Sequence, residues 1–249
     1  MMRLLQSAVF YTSYLLFSLV YILAALLLGT PVALCLSRRG ALRLTRQLIH
    51  YYGAITVRLA WPWIRFRVEN RSGIDPTKGC LFISNHQSIA DPYLMGLFPH
   101  EFVFLSNHWP FQIPILGAFA KLAGYLNTQA LELEALHENA AGLLAEGVTL
   151  FCFAEGTRTR TGALGPFHTT IFRLALQTRV PIVPVCIAGL YGIIPRGNAL
   201  LRPGTVHIHA LPALLPSDFE ALTPHQLKHK VRSLIAAELA FLEGGAPCC

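Results

Sequence analysis

No charged residue separates Arg3 from Arg38. Within that gap, Ala8 to Leu28 is predominantly apolar and long enough to cross a hydrocarbon core of about 30 Å. Such a stretch divides the chain between two solvents. In lipid it must satisfy its own backbone as a helix, so the remaining chain has to build a separate water-facing domain. Gly29-Thr30-Pro31 interrupts the run. One spanning helix and a helical hairpin dipping into one leaflet both fit. A cleaved signal peptide fits less well, because the stretch is too long and lacks an Ala-x-Ala exit. Val32-Ala33-Leu34-Cys35 has the cysteine of a lipoprotein site, but Leu34 is not small. Arg38, Arg39, Arg43 and Arg46 follow, which by the positive-inside rule puts the C-terminal bulk on the cytoplasmic side of the inner membrane.

The rest of the composition agrees with membrane contact. Hydrophobic residues make up 53% of the 249 residues and charged residues 13%, too apolar a balance for an ordinary soluble domain. The net charge of +7 suits either nucleic acid or an anionic bilayer. The bilayer is the better fit and nucleic acid is not expected, since no long Lys/Arg block with interleaved aromatics occurs. The six cysteines include no C-x-x-C pair, and four lie in apolar surroundings, as buried thiols do in a reducing compartment. His225 and His229 have helical metal-ligand spacing without an accompanying H-E-x-x-H, so a solvated helix face is expected there and no metal site.

Three segments follow from these patterns. Residues 1–63 form a membrane anchor and a basic amphipathic helix. That helix, Ala41 to Ala60, either lies in the interface, with Tyr51, Tyr52, Trp61 and Trp63 at headgroup depth, or packs on the domain with its arginines in water. Residues 64–243 form the main domain. Residues 244–249 form a tail whose terminal Cys-Cys weakly matches a prenylation signal. In the domain, apolar strand-like runs (Ile64 to Val68, Cys80 to Ser84, Glu101 to Leu105, Val148 to Phe153, Val180 to Ile187, Thr205 to Leu211) alternate with helical stretches. That alternation predicts an α/β fold, a mostly parallel central sheet flanked by helices. The run Val180 to Ile187 holds two prolines, which predicts an edge strand or a bulge.

Two connections carry chemistry. Asn85-His86-Gln87-Ser88-Ile89-Ala90-Asp91 joins a buried strand to a helix opened by Pro92. Histidine is suited to take a proton near neutral pH, and a carboxylate beside it fixes its tautomer. Residues five apart point about 140° from each other on a continuous helix, so His86 and Asp91 meet only if the chain bends between them. Asp91 is equally well placed as a helix N-cap before Pro92, and the two roles are compatible. The second connection, Ala154 to Gly162, is polar and bounded by glycines, with Arg158 and Arg160 placed to grip an anion. Here Thr157 is expected to cap the loop, and Glu155 has the option of pairing with an arginine.

Together these motifs resemble the glycerolipid acyltransferase family, whose best-known members are the lysophosphatidate acyltransferases. Asn85-His86-x-x-x-x-Asp91 looks like its first block. Phe153-Ala154-Glu155-Gly156-Thr157-Arg158 looks like its F-P-E-G-T-R block, with Ala154 for proline. Val180-Pro181-Ile182-Val183-Pro184-Val185 is similar to its fourth. Pro114-x-x-Gly117 fits the second, but where the family usually has an arginine near the acceptor phosphate, this chain reads Asn127-Thr128-Gln129-Ala130. The resemblance implies O-acyl transfer from acyl-CoA or acyl carrier protein to a lysophospholipid hydroxyl, at a membrane and without a cofactor. It implies His86 and Asp91 as catalytic residues, and Asn85, Glu155, Gly156, Thr157 and Arg158 at the acceptor site. Arg160 or Lys121 would assist Arg158. The departure in the second block leaves open a different lyso-lipid acceptor, such as a lyso-aminoacyl lipid. A non-catalytic lipid-binding protein is the other alternative.

Overall fold

A computed structural model describes residues 2–244 apart from Arg196 and Ala199. Helix α1 (Met2–Ala24) runs through a π turn at Ala25–Gly29 into α2 (Thr30–Leu34). Pro31 accounts for the wide turn: it has no N–H, and its ring crowds the carbonyl four residues back, so a longer loop relieves both. Gly29-Thr30-Pro31 therefore loosens the helix without ending it. The resulting 33-residue apolar helix, Met2–Leu34, is long enough to cross a membrane, and its most apolar window is unburied.

Ser37 caps the next helix, accepting from the Gly40 amide at 3.3 Å. This helix, α3 (Arg38–Leu59), doubles back along α1. The Ser18 and Tyr52 hydroxyls pair at 2.8 Å, and Tyr21 donates to the Leu48 carbonyl at 2.7 Å. Val57 and Ala60 enter the core, and buried Arg46 donates from Nε to the Ala123 carbonyl at 2.8 Å. Of the two expectations for this segment, packing on the domain holds for one face. The other face still exposes Arg43, Tyr51, Ile55 and Arg58.

The domain begins with β1 (Ile64–Asn70) and β2 (Leu81–Ser84). Then come α4 (Asp91–Leu94), β3 (Val103–Ser106), α5 (Trp109–Gln112), α6 (Pro114–Leu122), β4 (Leu126–Asn127) and α7 (Leu133–Ala145). It closes with β5 (Leu150–Phe153), α8 (Thr170–Thr178), β6 (Ile182–Ala188), α9 (Leu190–Ile193), β7 (Gly204–Ala210) and α10 (Pro224–Glu243). The strands form one seven-stranded sheet in the order β1-β7-β6-β2-β5-β3-β4. Every neighbouring pair is parallel except β6 with β7. Strand alternation divides the core by face. Leu81, Ile83, Leu150 and Cys152 pack under α7, α8 and α10, whereas Phe82, Phe151 and Val183 pack under α3 and α4. Of the predicted tail, only Gly244 is among the described residues; the Cys-Cys pair lies outside them.

The proline-bearing strand is interior, between β2 and β7, not at an edge. Its tolerance has a local cause. Pro184 would offer its missing N–H toward the β7 side, and there the pairing is irregular. Ile182 pairs with Leu214 but Val185 pairs with Ala210, so Val183 and Pro184 face the three residues Leu211 to Ala213. That is a bulge in the partner segment. The Pro184 carbonyl stays satisfied by the Leu211 amide at 2.9 Å.

Candidate active site

Strands β6, β2 and β5 are adjacent and parallel, so their carboxyl ends lie side by side. From β2 the chain leaves to α4 on one face of the sheet, and from β5 to α8 on the other. Connections that part in this way open a crevice at the strand ends, where α/β sheets bind ligands. Both sequence-predicted loops emerge there.

The first loop does bend. His86 Nδ1 lies 2.6 Å from Asp91 Oδ2, and the same oxygen accepts the Gln87 and Ser88 amides at 2.6 and 2.8 Å. Asp91 is fully buried and is the first residue of α4. Its carboxylate reaches back over the loop instead of capping the helix, which removes the N-cap alternative. A carboxylate only accepts, so the imidazole places its proton at Nδ1 and keeps the Nε2 lone pair free. The ring stacks on Phe153, with centroids 4.1 Å apart and planes at 15°, and its side chain is 16% exposed. The ring is thus clamped on one flank and reachable at its edge.

Asn85 and Glu155 do different work from that expected of them. Asn85 is buried; its amide donates to the Ile187 carbonyl and accepts the Ile187 amide, both at 2.8 Å. It straps the end of β2 to β6 and presents nothing to solvent. Glu155 is also buried, and its two oxygens accept the amides of His86 and Gly165, each at 2.8 Å. Among the described residues it pairs with no arginine, and it is a brace under the histidine loop. Burial pushes its carboxyl above the usual range, and the His86 and Gly165 amides partly offset this. The Thr159 amide adds a third tie, to the His86 carbonyl at 2.9 Å.

Gly156 and Thr157 are exposed and Arg158 is partly so, which leaves these three on the rim. Gly156 has φ +64°, and a Cβ there would sit 2.8 Å from the His168 ring, so glycine fits both the turn and the space. The loop is capped by Thr159, not Thr157. Its hydroxyl accepts the Gly162 amide at 3.1 Å and donates to the Ala163 carbonyl at 2.8 Å. Across the rim, Asn107 donates to the Gly156 carbonyl at 3.3 Å, Asn127 bonds His108 at 2.9 Å, and Gln129 accepts the His108 amide at 3.0 Å. Lys121 is in the last turn of α6, which leads away from the crevice toward the start of β4. Residues that sequence spacing did not single out complete the site: Gly165, Thr159, and Gln87, which accepts the Tyr191 amide at 3.2 Å. Their partners lie far along the chain or involve backbone groups, which no motif encodes. Cys152 is buried in β5 and its thiol is pushed up to about 12 by burial, unsuited to act as a nucleophile.

Residues 65–188 match the Acyltransferase family model. The chain is 25% identical to the chloroplastic 1-acyl-sn-glycerol-3-phosphate acyltransferase BAT2 of Brassica napus, over 77% of this chain and 56% of that one. It is 30% identical to a 1-acyl-sn-glycerol-3-phosphate acyltransferase of Chlamydomonas reinhardtii, over 72% and 54% of the two. With the beta form of Homo sapiens the identity is 28%, over 64% and 59%. The chain thus spans about half the length of the curated relatives it matches. The fold is shared with the crystal structure of the 1-acyl-sn-glycerophosphate (LPA) acyltransferase PlsC from Thermotoga maritima, at TM-score 0.77 and 23% identity, covering 99% of this chain and 98% of that one. Because the family match runs from β1 to β6 and takes in both loops that meet at His86, the chain belongs to the acyltransferase family.

Proposed function

We propose that this chain moves a fatty acyl group from acyl-CoA or acyl carrier protein to the free hydroxyl of a lysophospholipid such as 1-acylglycerol-3-phosphate. The observation that carries the proposal is the His86–Asp91 pair at 2.6 Å, held on one loop with Nε2 left open. His86 Nε2 takes the hydroxyl proton as the oxygen attacks the thioester carbonyl. The C–S bond then breaks, and the departing thiolate recovers the proton from the imidazolium. Asp91 steadies the cationic ring meanwhile, and general base help of this kind is worth about 10²–10⁴-fold. The thioester is already activated, so neither an acyl-enzyme nor a cofactor is needed. Arg158, beside the exposed turn at Gly156 and Thr157, receives the acceptor headgroup. The apolar helix Met2–Leu34 holds the site at the inner membrane, with the domain on the cytoplasmic side, where acceptor and product both reside.

Purified enzyme with labelled acyl donors and a panel of lysolipids tests this. His86→Ala is expected to abolish transfer while the protein stays folded and vesicle-bound; turnover retained in that variant refutes the mechanism. A second acceptor class has its own support. The rim around Asn107, His108, Asn127 and Gln129 holds neutral amides where a second cation would favour a phosphate monoester. Preference in the panel for a lyso-aminoacyl lipid or another headgroup would select that reading within the same chemistry.

A further inference from the structure

Between Glu101 and Glu132 the chain carries no acidic residue. This stretch exposes five large apolar side chains on and between α5 and α6. Trp109, Ile113, Ile115, Leu116 and Leu122 are 48%, 36%, 57%, 44% and 61% exposed. The corner is rigid. Gly117 closes it so tightly that a Cβ would sit 2.2 Å from the Phe111 carbonyl oxygen, and its amide donates to the Ile113 carbonyl at 2.6 Å. The side chains therefore have no route inward, and a contiguous apolar patch on a domain surface marks a contact.

We propose that α5–α6 is a second membrane-seating element, which sinks into an anionic bilayer beside the mouth of the crevice. Three observations choose lipid as the occupant. Exposed Lys121, on a stretch with no acidic residue between Glu101 and Glu132, gives the patch a positive sign that complements anionic headgroups, while Arg43 is paired with Glu101 at 3.5 Å. The patch is continuous with an unburied apolar helix: the end of α6 packs on α3 through Arg46 and Ala123, and α3 packs on α1 through Tyr52 and Ser18. Trp109 follows the rim residues Asn107 and His108 directly, so an aromatic anchor at headgroup depth brings the rim to the lipid surface. The choice of lipid rests on the membrane placement proposed above.

The test uses the full chain carrying Trp61→Phe and Trp63→Phe, which leaves Trp109 as the one tryptophan of three. On vesicles of phosphatidylcholine and phosphatidylglycerol, Trp109 emission is expected to shift blue. Brominated acyl chains should quench it, and aqueous acrylamide should lose access. In a second variant, Ile113→Gln, Ile115→Gln and Leu116→Gln are combined. Transfer to a lysolipid embedded in vesicles should fall at least about tenfold, with the rate on a dispersed short-chain acceptor unchanged. Trp109 that stays open to acrylamide on bound vesicles overturns the proposal. So does an equal loss on both acceptors, or a vesicle-free dimer that shields Trp109. Bromine quenching of Trp109 in a protein that transfers no acyl group would leave this proposal standing and sink the proposed activity.

Discussion

One carboxylate oxygen of Asp91 serves three donors at once: the imidazole Nδ1 of His86 at 2.6 Å and the amides of Gln87 and Ser88 at 2.6 and 2.8 Å. The same atom that holds the loop in its bent shape therefore sets the histidine tautomer. Asparagine can still offer one oxygen to these donors, but it is neutral and no longer stabilises the imidazolium that forms on His86. Asp91→Asn is expected to lower kcat by about 10²–10⁴-fold with little change in KM for either substrate. Steady-state assay of thiol release reads this, alongside circular dichroism to show an intact fold. A wild-type kcat would mean that His86 needs no partner.

Glu155 faces a different demand. Two part-buried amides, of His86 and Gly165, depend on its two oxygens. Glutamine satisfies one amide and opposes the other, at a cost of about 1–3 kcal/mol for the donor left unpaired. Glu155→Gln should therefore lower the melting temperature and reduce kcat by about tenfold, with acceptor KM unchanged. A rise in acceptor KM alone would instead show that the carboxylate touches the lipid headgroup.

Arg158 stands partly exposed on the rim beside Gly156. If its guanidinium receives an anionic headgroup, Arg158→Ala removes a charge-assisted contact from the acceptor and none from the thioester. KM for acceptor should rise by roughly tenfold or more, about 1.5–3 kcal/mol, while KM for acyl donor stays within twofold. Equal increases in both would remove Arg158 from the acceptor site.

The half-buried ring of His100 gives the fold an acid limit. It packs among Phe82, Phe98 and Phe102, with neither ring nitrogen partnered among the described residues. Burial, assisted by His50, pushes it down to about 4. The unfolded chain takes up this proton near pH 6.5, the native chain only near 4. Between those values the unfolded state binds more protons, so stability is complete above about pH 6.5 and falls as the pH drops. The loss is at most about 3 kcal/mol, reduced because the ring is only part-buried. His100→Leu should flatten the change in melting temperature between pH 7.5 and 5. An unchanged slope would place the acid sensitivity elsewhere.

Short-range patterns carried much of this architecture. Alternating apolar runs located the strands, and Asn85 to Asp91 and Phe153 to Arg158 marked two loops that do meet in space. Reading failed where the deciding partner is remote or belongs to the backbone. Glu155 looked like a ligand because its amide partners have no side-chain signature. Asn85 looked like a site residue because nothing in its neighbours names Ile187. Of the edge and the bulge that the two prolines predict, the bulge is present, but in a partner segment about 30 residues downstream that the local sequence does not name. Thr157 and Thr159 are equivalent by composition, and only loop geometry separates them.

The strap between Asn85 and Ile187 joins residues 102 apart in sequence. Its two hydrogen bonds cannot form on a ribosome until the second residue has emerged and the long excursion between them has collapsed. A nascent chain or a fragment ending before β6 thus keeps the contacts of Asp91, Glu155 and Thr159 with the histidine loop but lacks the strap that ties the start of that loop to the sheet.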